Sequence, residues 1–403
     1  MLLEKFLETF KRYNSNLLKS NEKEIIILIF MILTKVNSIR DSKLQRKYLQ
    51  RIYRYFNRIE SNNLEILPIF FEKTTEEILS LYSGYSKFYK KKNPLIISID
   101  DSVIEKYGHK MEELRLLRSS NGRIIDGYSM LAITISIGAK PALPIAIFWH
   151  KKTEKESKIK IAKQTVCDWI KIQQNRYSLN SDDIVVCFDN WYLCQEISAS
   201  INRLNVKWVS KLKSNWTITA EVSQKSYPVF QYDLWQCYWK ITNIKVKDFF
   251  TNAFKPEKVF RIWHKSLGIC YATESSTDNG IIWLVSNFDM KNKTMVKLYK
   301  LRWKIETIFR DLKQNMKIAA THFTSFAKNK FYMELKILVF SCLQLLKLKI
   351  QSISKVSIGE ILNQIEIELS MICNNFHNLL IFLQLHIINK TQNPFEALCN
   401  KAL

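Results

Sequence analysis

A chain of 403 residues with 47% hydrophobic content is long enough for two or three domains around a large buried core, which excludes a disordered tail. Lys and Arg number 61 against 37 Asp and Glu, and the formal charge of +24 points to a polyanionic partner, either nucleic acid or an anionic membrane. The most apolar stretch, Ile25 to Leu33, is too short to span a bilayer and fits a buried helix, so nucleic acid is favoured and no membrane role is expected. The N-terminus carries an acid at Glu4 and no small-residue cleavage site, so no secretory signal is read and a cytoplasmic protein is expected. The eight cysteines are scattered through apolar runs with no C-x-x-C pair and no nearby His at finger spacing, the pattern of reduced core thiols.

From Met1 to about Lys92 apolar residues recur at helical spacing, and the segment holds one Gly and one Pro. Residues 1–92 are therefore expected to form an all-helical N-terminal domain that binds DNA. Within it Lys47, Arg51, Arg54 and Arg58 make one stripe while Leu44, Tyr48, Ile52, Tyr55 and Ile59 make another. The apolar stripe suits packing; the basic one suits either a phosphate backbone or plain solvent. No helix-turn-helix signature singles out a recognition helix.

Lys90-Lys-Lys-Asn-Pro94 punctuates the chain. Leu95–Ser102 then reads as a short apolar strand that delivers Asp100 and Asp101 at its end. After a turn signal at Asn121-Gly122, Tyr128–Ile137 and Ala142–Trp149 read as two more strands joined through Gly138-Ala-Lys-Pro141. Lys158–Gln173 reads as a helix, Ile184–Asp189 as a buried strand ending in an acid, Trp191–Leu204 as a helix and Val206–Lys211 as a strand. The sum is an α/β mixed sheet with flanking helices over about 93–213. From 214 to 290 short alternating runs, including Val229-Phe-Gln-Tyr, Cys237–Thr242 and Val259–Trp263, carry five of the ten tryptophans and suggest a β-rich insertion. The core is expected to resume over 291–350. Lys297–Lys317, Phe331–Ile350, Ser357–Cys373 and Phe376–His386 read as helices, with 351–403 a C-terminal helical region.

In the first of these helices, at ~100° per residue, Tyr299, Arg302, Glu306 and Lys313 fall within an arc of roughly 60°. A carboxylate able to hold a divalent cation shares a face with two cations and a phenol able to hold phosphates; solvated ion pairs at spacings of three and four would look similar. If the strands ending in Asp100 and Asp189 are neighbours, their acids lie side by side and a nearby helix could add Glu306. Three such carboxylates need cations between them, and hard oxygen donors suit Mg²⁺ or Mn²⁺. Two ions could then activate a water or 3′-hydroxyl at a phosphodiester. For each aspartate a turn or helix N-cap is the competing role.

The run Y-x₂-R-x₃-E-x₆-K, present as Tyr299, Arg302, Glu306 and Lys313, resembles the signature of bacterial insertion-sequence DDE transposases with a ribonuclease-H-like catalytic core. Trp303, directly after the Arg, matches members of that family. D-x-[ST] at Asp100-Asp101-Ser102 and D-x-x-[YF] at Asp189-Asn190-Trp191-Tyr192 fit the same pattern, so the resemblance covers roughly 95–350. It implies a ribonuclease-H-like mixed sheet interrupted by the insertion. It also implies a metal-dependent enzyme that cleaves DNA at transposon ends and joins the freed 3′-OH to a target. Asp100, Asp189 and Glu306 would be the catalytic and metal-holding residues for two Mg²⁺ or Mn²⁺ ions. Tyr299, Arg302 and Lys313 would contact phosphates, Trp303 would belong to the same DNA-binding set, and Trp283 would stack on a flipped base unless it is an ordinary buried strand tryptophan. A homodimer in the synaptic complex, transposon-end and target duplexes as partners, and association with the nucleoid follow from the same resemblance. Asp100 fits D-x-[ST], leaving Asp101 to a turn or supporting role. His109, His150 and His322 make no ligand spacing and are assigned to no metal. A nuclease or resolvase without strand transfer, and a non-catalytic DNA-binding relative, are the competing functions.

Overall fold

The computed structural model describes residues 2–35, 46–62, 66–108, 110–119, 122–222, 239–253, 257–278, 280–321 and 323–372. The first described part is all helical: α1 (Leu2–Leu33), α2 (Arg46–Asn62), α3 (Leu67–Ser83) and α4 (Lys87–Lys92). The apolar stripe of α2 buries Ile52, Tyr55, Phe56 and Ile59, with Phe56 against Phe331 and Tyr332 of α9 (Phe326–Lys349). Helix α9 is buried on every side from Phe331 to Leu346, as expected of a helix hydrophobic all round. Helices α1 and α10 (Ile358–Ile372) flank it, and Glu368 of α10 accepts from the free backbone N–H groups of Leu2 and Leu3 at the start of α1. These helices and one face of the sheet share a single apolar cluster.

The sheet starts with β1 (Leu95–Glu105), β2 (Arg115–Arg118), β3 (Ile124–Ile137) and β4 (Leu143–His150), and continues with β5 (Ile184–Phe188) and β6 (Lys207–Lys211). Strand β1 lies antiparallel to β3 and parallel to β5, which is parallel to β6; β4 pairs with β3 on its far side. The run β4-β3-β1-β5-β6 is the mixed, ribonuclease-H-like sheet expected. Helices α5 (Lys158–Tyr177) and α6 (Gln195–Arg203) pack against each other beside it, and α8 (Asn292–Gln314) crosses β1 and β5. The first half of β1 is buried on both faces, so it reads as a continuous apolar run rather than an alternating one.

The 214–290 region holds β7 (Thr217–Val222), β8 (Trp239–Lys245), α7 (Val246–Thr251), β9 (Phe260–His264), β10 (Gly268–Thr277) and β11 (Gly280–Ser286). Its strands extend the main sheet, because β11 pairs antiparallel with β6. Several expected boundaries shift: β1 runs on to Glu105, β3 begins at Ile124, α8 at Asn292 and α9 at Phe326. The helix expected from Trp191 begins at Gln195, since Tyr192 N–H closes a turn onto the Asp189 carbonyl at 3.0 Å. Strand β2 is additional: its arginine-rich sequence gives no apolar alternation, and pairing with β3 supplies the order. The expected runs at 229–238 and 376–386 lie outside the described residues.

Two lysines inside this fold hold the segment that follows α8. Lys106 Nζ donates to the Ala319 carbonyl at 2.8 Å, the Thr321 carbonyl at 3.1 Å and the Thr321 hydroxyl, and Lys336 Nζ donates to the Lys317 carbonyl at 2.6 Å. Burial pushes the Lys336 ammonium down to about 7, with the charges of Lys106 and Lys317 adding to the effect. An unfolded lysine titrates near 10.4, so between about pH 7 and 10 the unfolded chain binds more protons and stability rises with pH. Denaturant melts at pH 7, 8 and 9 should therefore show the wild type gaining on Lys336→Met by at most about 1.4 kcal/mol per pH unit. A difference that stays constant with pH would contradict this.

Candidate active site

Side chains alternate along β1, so its adjacent acids face different surroundings. Asp101 meets α5 and the turn after β5: it pairs with Lys158 Nζ, and the Tyr192 hydroxyl donates to it at 3.0 Å. Asp100 meets α8. The parallel register sets Ile99 beside Phe188, so Asp100 and Asp189 are the next residues along two neighbouring strands. They reach the same place because both chains leave the buried part of the sheet there.

Helix α8 is anchored by Ile305, Ile308, Phe309 and Leu312, which are buried in the main core, and by Met295 and Leu298 in a smaller cluster with β5 and β11. That packing fixes which way Tyr299, Arg302 and Glu306 point. Arg302, with its side chain 7% exposed, donates through Nη1 to Asp100 Oδ2 at 3.0 Å and through Nη2 to Glu306 Oε1. Its guanidinium carbon lies 5.2 Å from the Tyr299 ring centroid, and the Tyr299 hydroxyl donates to Asp189 Oδ1 at 3.4 Å. Burial pushes the Asp100 carboxyl up to about 7; Arg302 and the Asp101 N–H oppose this, while the charges of Asp101 and Asp189 add to it. The three acids named from the sequence thus surround one arginine and one tyrosine of the same helix.

A cavity of about 640 Å³ opens over this group, lined by Asp189, Tyr299, Arg302 and Glu306 together with Lys211, Lys300 and Trp303. The Trp303 residue is 57% exposed. The donor set of Asp100, Asp189 and Glu306 is hard oxygen, so its chemistry suits a divalent cation. Among the described residues no three Asp, Glu, His or Cys side chains stand close enough to share one ion as placed, because the Arg302 guanidinium lies between Asp100 and Glu306.

Other residues singled out from the sequence lie elsewhere. Lys313 is exposed near the end of α8. Trp283 does not line the cavity: Ile282 and Leu284 do, and alternation turns the indole to the opposite face, where its N–H donates to Glu274 at 3.0 Å. On α2, Arg51 pairs with the buried Glu24, while Arg54 and Arg58 are exposed; Lys47 lies on the same helix. His150 approaches Arg115 and the Glu156 carbonyl, and His109 and His322 lie outside the described residues. Lys158, Lys211 and Lys300 were not singled out, since nothing local distinguishes them among 61 basic residues.

The family model for the transposase DDE domain matches residues 92–342, from the start of β1 into α9. The chain belongs to the DDE transposase family. No curated protein matches it. It is therefore an enzyme of DNA transposition with DNA as its partner, in a family that generally uses divalent metal ions. Among its described residues no helix is long and apolar enough to cross a membrane. In this transposase Asp101 is occupied by a partly exposed pair. Asp101→Asn should lower stability in urea melts by about 1 kcal/mol or less while leaving DNA cleavage intact. Loss of cleavage without loss of stability would reverse the roles of Asp100 and Asp101.

Proposed function

We propose that the chain is an insertion-sequence transposase of the Y-x₂-R-x₃-E-x₆-K type, which cleaves DNA at transposon ends and transfers the 3′-OH strand to a target. The observation that supports this reading is the gathering of Asp100, Asp189 and Glu306 around Arg302 and Tyr299 of the glutamate's own helix, with Asp189 and Glu306 lining the cavity and Asp100 bonded to Arg302 beside it. Asp100, Asp189 and Glu306 would hold two Mg²⁺ or Mn²⁺ ions. Such ions supply Lewis-acid activation of the attacking oxygen and stabilisation of the leaving one.

The chain's own residues supply position and charge. Arg302 offers a planar set of donors suited to a phosphate, Tyr299 a hydroxyl beside it, and Lys313 a cation further along the same helix. The exposed Trp303 indole offers an apolar plate on which a base can stack. The helical region 1–92, with Lys47, Arg51, Arg54 and Arg58, would hold flanking duplex through phosphates. The catalytic core would be 93–213 and 291–350, carrying the 214–290 insertion, with 351–403 as the C-terminal helical region. Two copies would act together in the synaptic complex, inside the bacterial cell and on its nucleoid.

The test uses duplexes bearing the inverted repeats that flank the coding region. Asp189→Asn and Glu306→Gln should each lower Mg²⁺-dependent cleavage by on the order of a hundredfold or more, with end binding retained, since each removes several kcal/mol of charge stabilisation. Arg302→Ala should weaken end binding as well. Cleavage that survives either acid substitution would refute the site, and cleavage with no joined product would leave a nuclease.

A further inference from the structure

The back of the glutamate helix carries a contact that neither the signature nor the cavity includes. Lys304 lies two residues from both Arg302 and Glu306, so at ~100° per residue its side chain leaves α8 about 160° away from theirs. It is directed at the turn between β3 and β4, where Nζ donates to the Gly138 carbonyl at 2.6 Å and to the Lys140 carbonyl.

That turn is itself fixed to the base of β1. Gly138 has φ of +48° and its N–H donates to the Pro94 carbonyl at 2.9 Å. A Cβ at Gly138 would stand 2.6 Å from Asn93 Oδ1 and 2.7 Å from Asn93 Cβ, so the turn and the residue before β1 are in direct contact. The Lys140 N–H closes the turn on Ile137 at 3.0 Å. A continuous path of short contacts thus runs from Glu306 through α8 to Lys304, across the turn, into Pro94 and up β1 to Asp100. The front of the helix meets β1 through Arg302; the back meets the foot of the same strand through Lys304.

We infer that Lys304 is a positioning residue for the reaction, fixing the height of α8 along β1 and thereby the placement of Glu306 opposite Asp100. This rests on the assignment of those two acids to the chemistry. Two directed bonds from Nζ to carbonyls of one turn add a positional constraint to the apolar packing of α8. Lys304 itself touches neither DNA nor the reacting atoms.

The experiment compares Lys304→Met, Lys304→Arg and wild type as full-length chains on the terminal-repeat duplex. Lys304→Met keeps the length of the stem and removes both donations. A purely structural role predicts that losing the two donations lowers stability while the rate and metal affinity of the bound complex stay as in wild type. Positioning predicts a split instead: unchanged affinity for the duplex, with the cleavage rate of the bound complex and the calorimetric affinity of that complex for Mn²⁺ each lower by roughly tenfold or more, the scale for residues that orient metal ligands. Lys304→Arg, which can donate to both carbonyls, should restore both. If Lys304→Met folds poorly, Lys304→Gln takes its place and is judged by the same split.

Wild-type Mn²⁺ affinity and cleavage in Lys304→Met or Lys304→Gln would overturn the inference, as would equal loss of duplex binding. Glu306→Gln run in parallel separates the two failures. If Glu306→Gln still cleaves, the active-site reading is at fault; if it is inactive while the Lys304 variants behave as wild type, only the inference falls.

Discussion

Gathering Asp100, Asp189 and Glu306 around one arginine and one tyrosine is first of all an electrostatic problem. Burial is the largest cause that raises Asp100, to about 7, and two neighbouring aspartates push the same way. The buried guanidinium of Arg302 is the opposing charge, donating to Asp100 and Glu306 at once. Much of the surrounding structure serves to keep that arginine in place. Leu298 and Ile305 seat the helix on either side of it, the Tyr299 ring lies against it, and β1 and β5 lead their acids to it in register. Arginine suits this duty better than lysine, since a planar fork reaches two carboxylates and keeps its charge when desolvated.

Asp101 shows how one residue of difference along a strand separates two acids. Alternation sends it to the α5 side, where Lys158 and Tyr192 satisfy it. On the sequence D-x-[ST] favours Asp100 over Asp101; in the structure Asp100 meets α8 and Asp101 meets α5. The same alternation separates Trp283 from Ile282 and Leu284. A tryptophan in an apolar strand carries no mark of the face it will occupy until its partners are known.

The strand that carries Asp100 and the one that leads to Asp189 were legible because buried parallel strands read as continuous apolar runs, and the glutamate helix because its four polar residues recur at whole turns. Strand β2 was not, because its order comes from pairing with β3. Nor was the start of α6, where the Tyr192 N–H bonds back to Asp189 and holds the chain in a turn beside the site. Lys106, Lys304 and Lys336 were invisible among so many basic residues. Lysines are ordinarily read as solvated, yet these three point inward and donate to backbone carbonyls. High positive charge therefore overstates the surface available to a polyanion, since part of it holds the fold.

Those inward lysines clarify why α8 can be both core and site. Its apolar residues bury it, and directed hydrogen bonds add constraints to that packing. The directed donations of Lys304 at the foot of β1 and of Lys106 and Lys336 beyond the end of α8 act at two places. The helix can then present Arg302 to Asp100 with hydrogen-bond accuracy. Under the proposed reading Asp100 and Glu306, which Arg302 pairs with here, would hold the metal, and Arg302 would then release at least one of them. Two of the five N–H donors of Arg302 go to these acids, and its Nε is buried without a partner among the described residues. A phosphate, with several oxygens, is matched to the planar donors of Arg302. A helix held rigidly from behind, with that arginine in front, allows such an exchange without disturbing the position of Glu306.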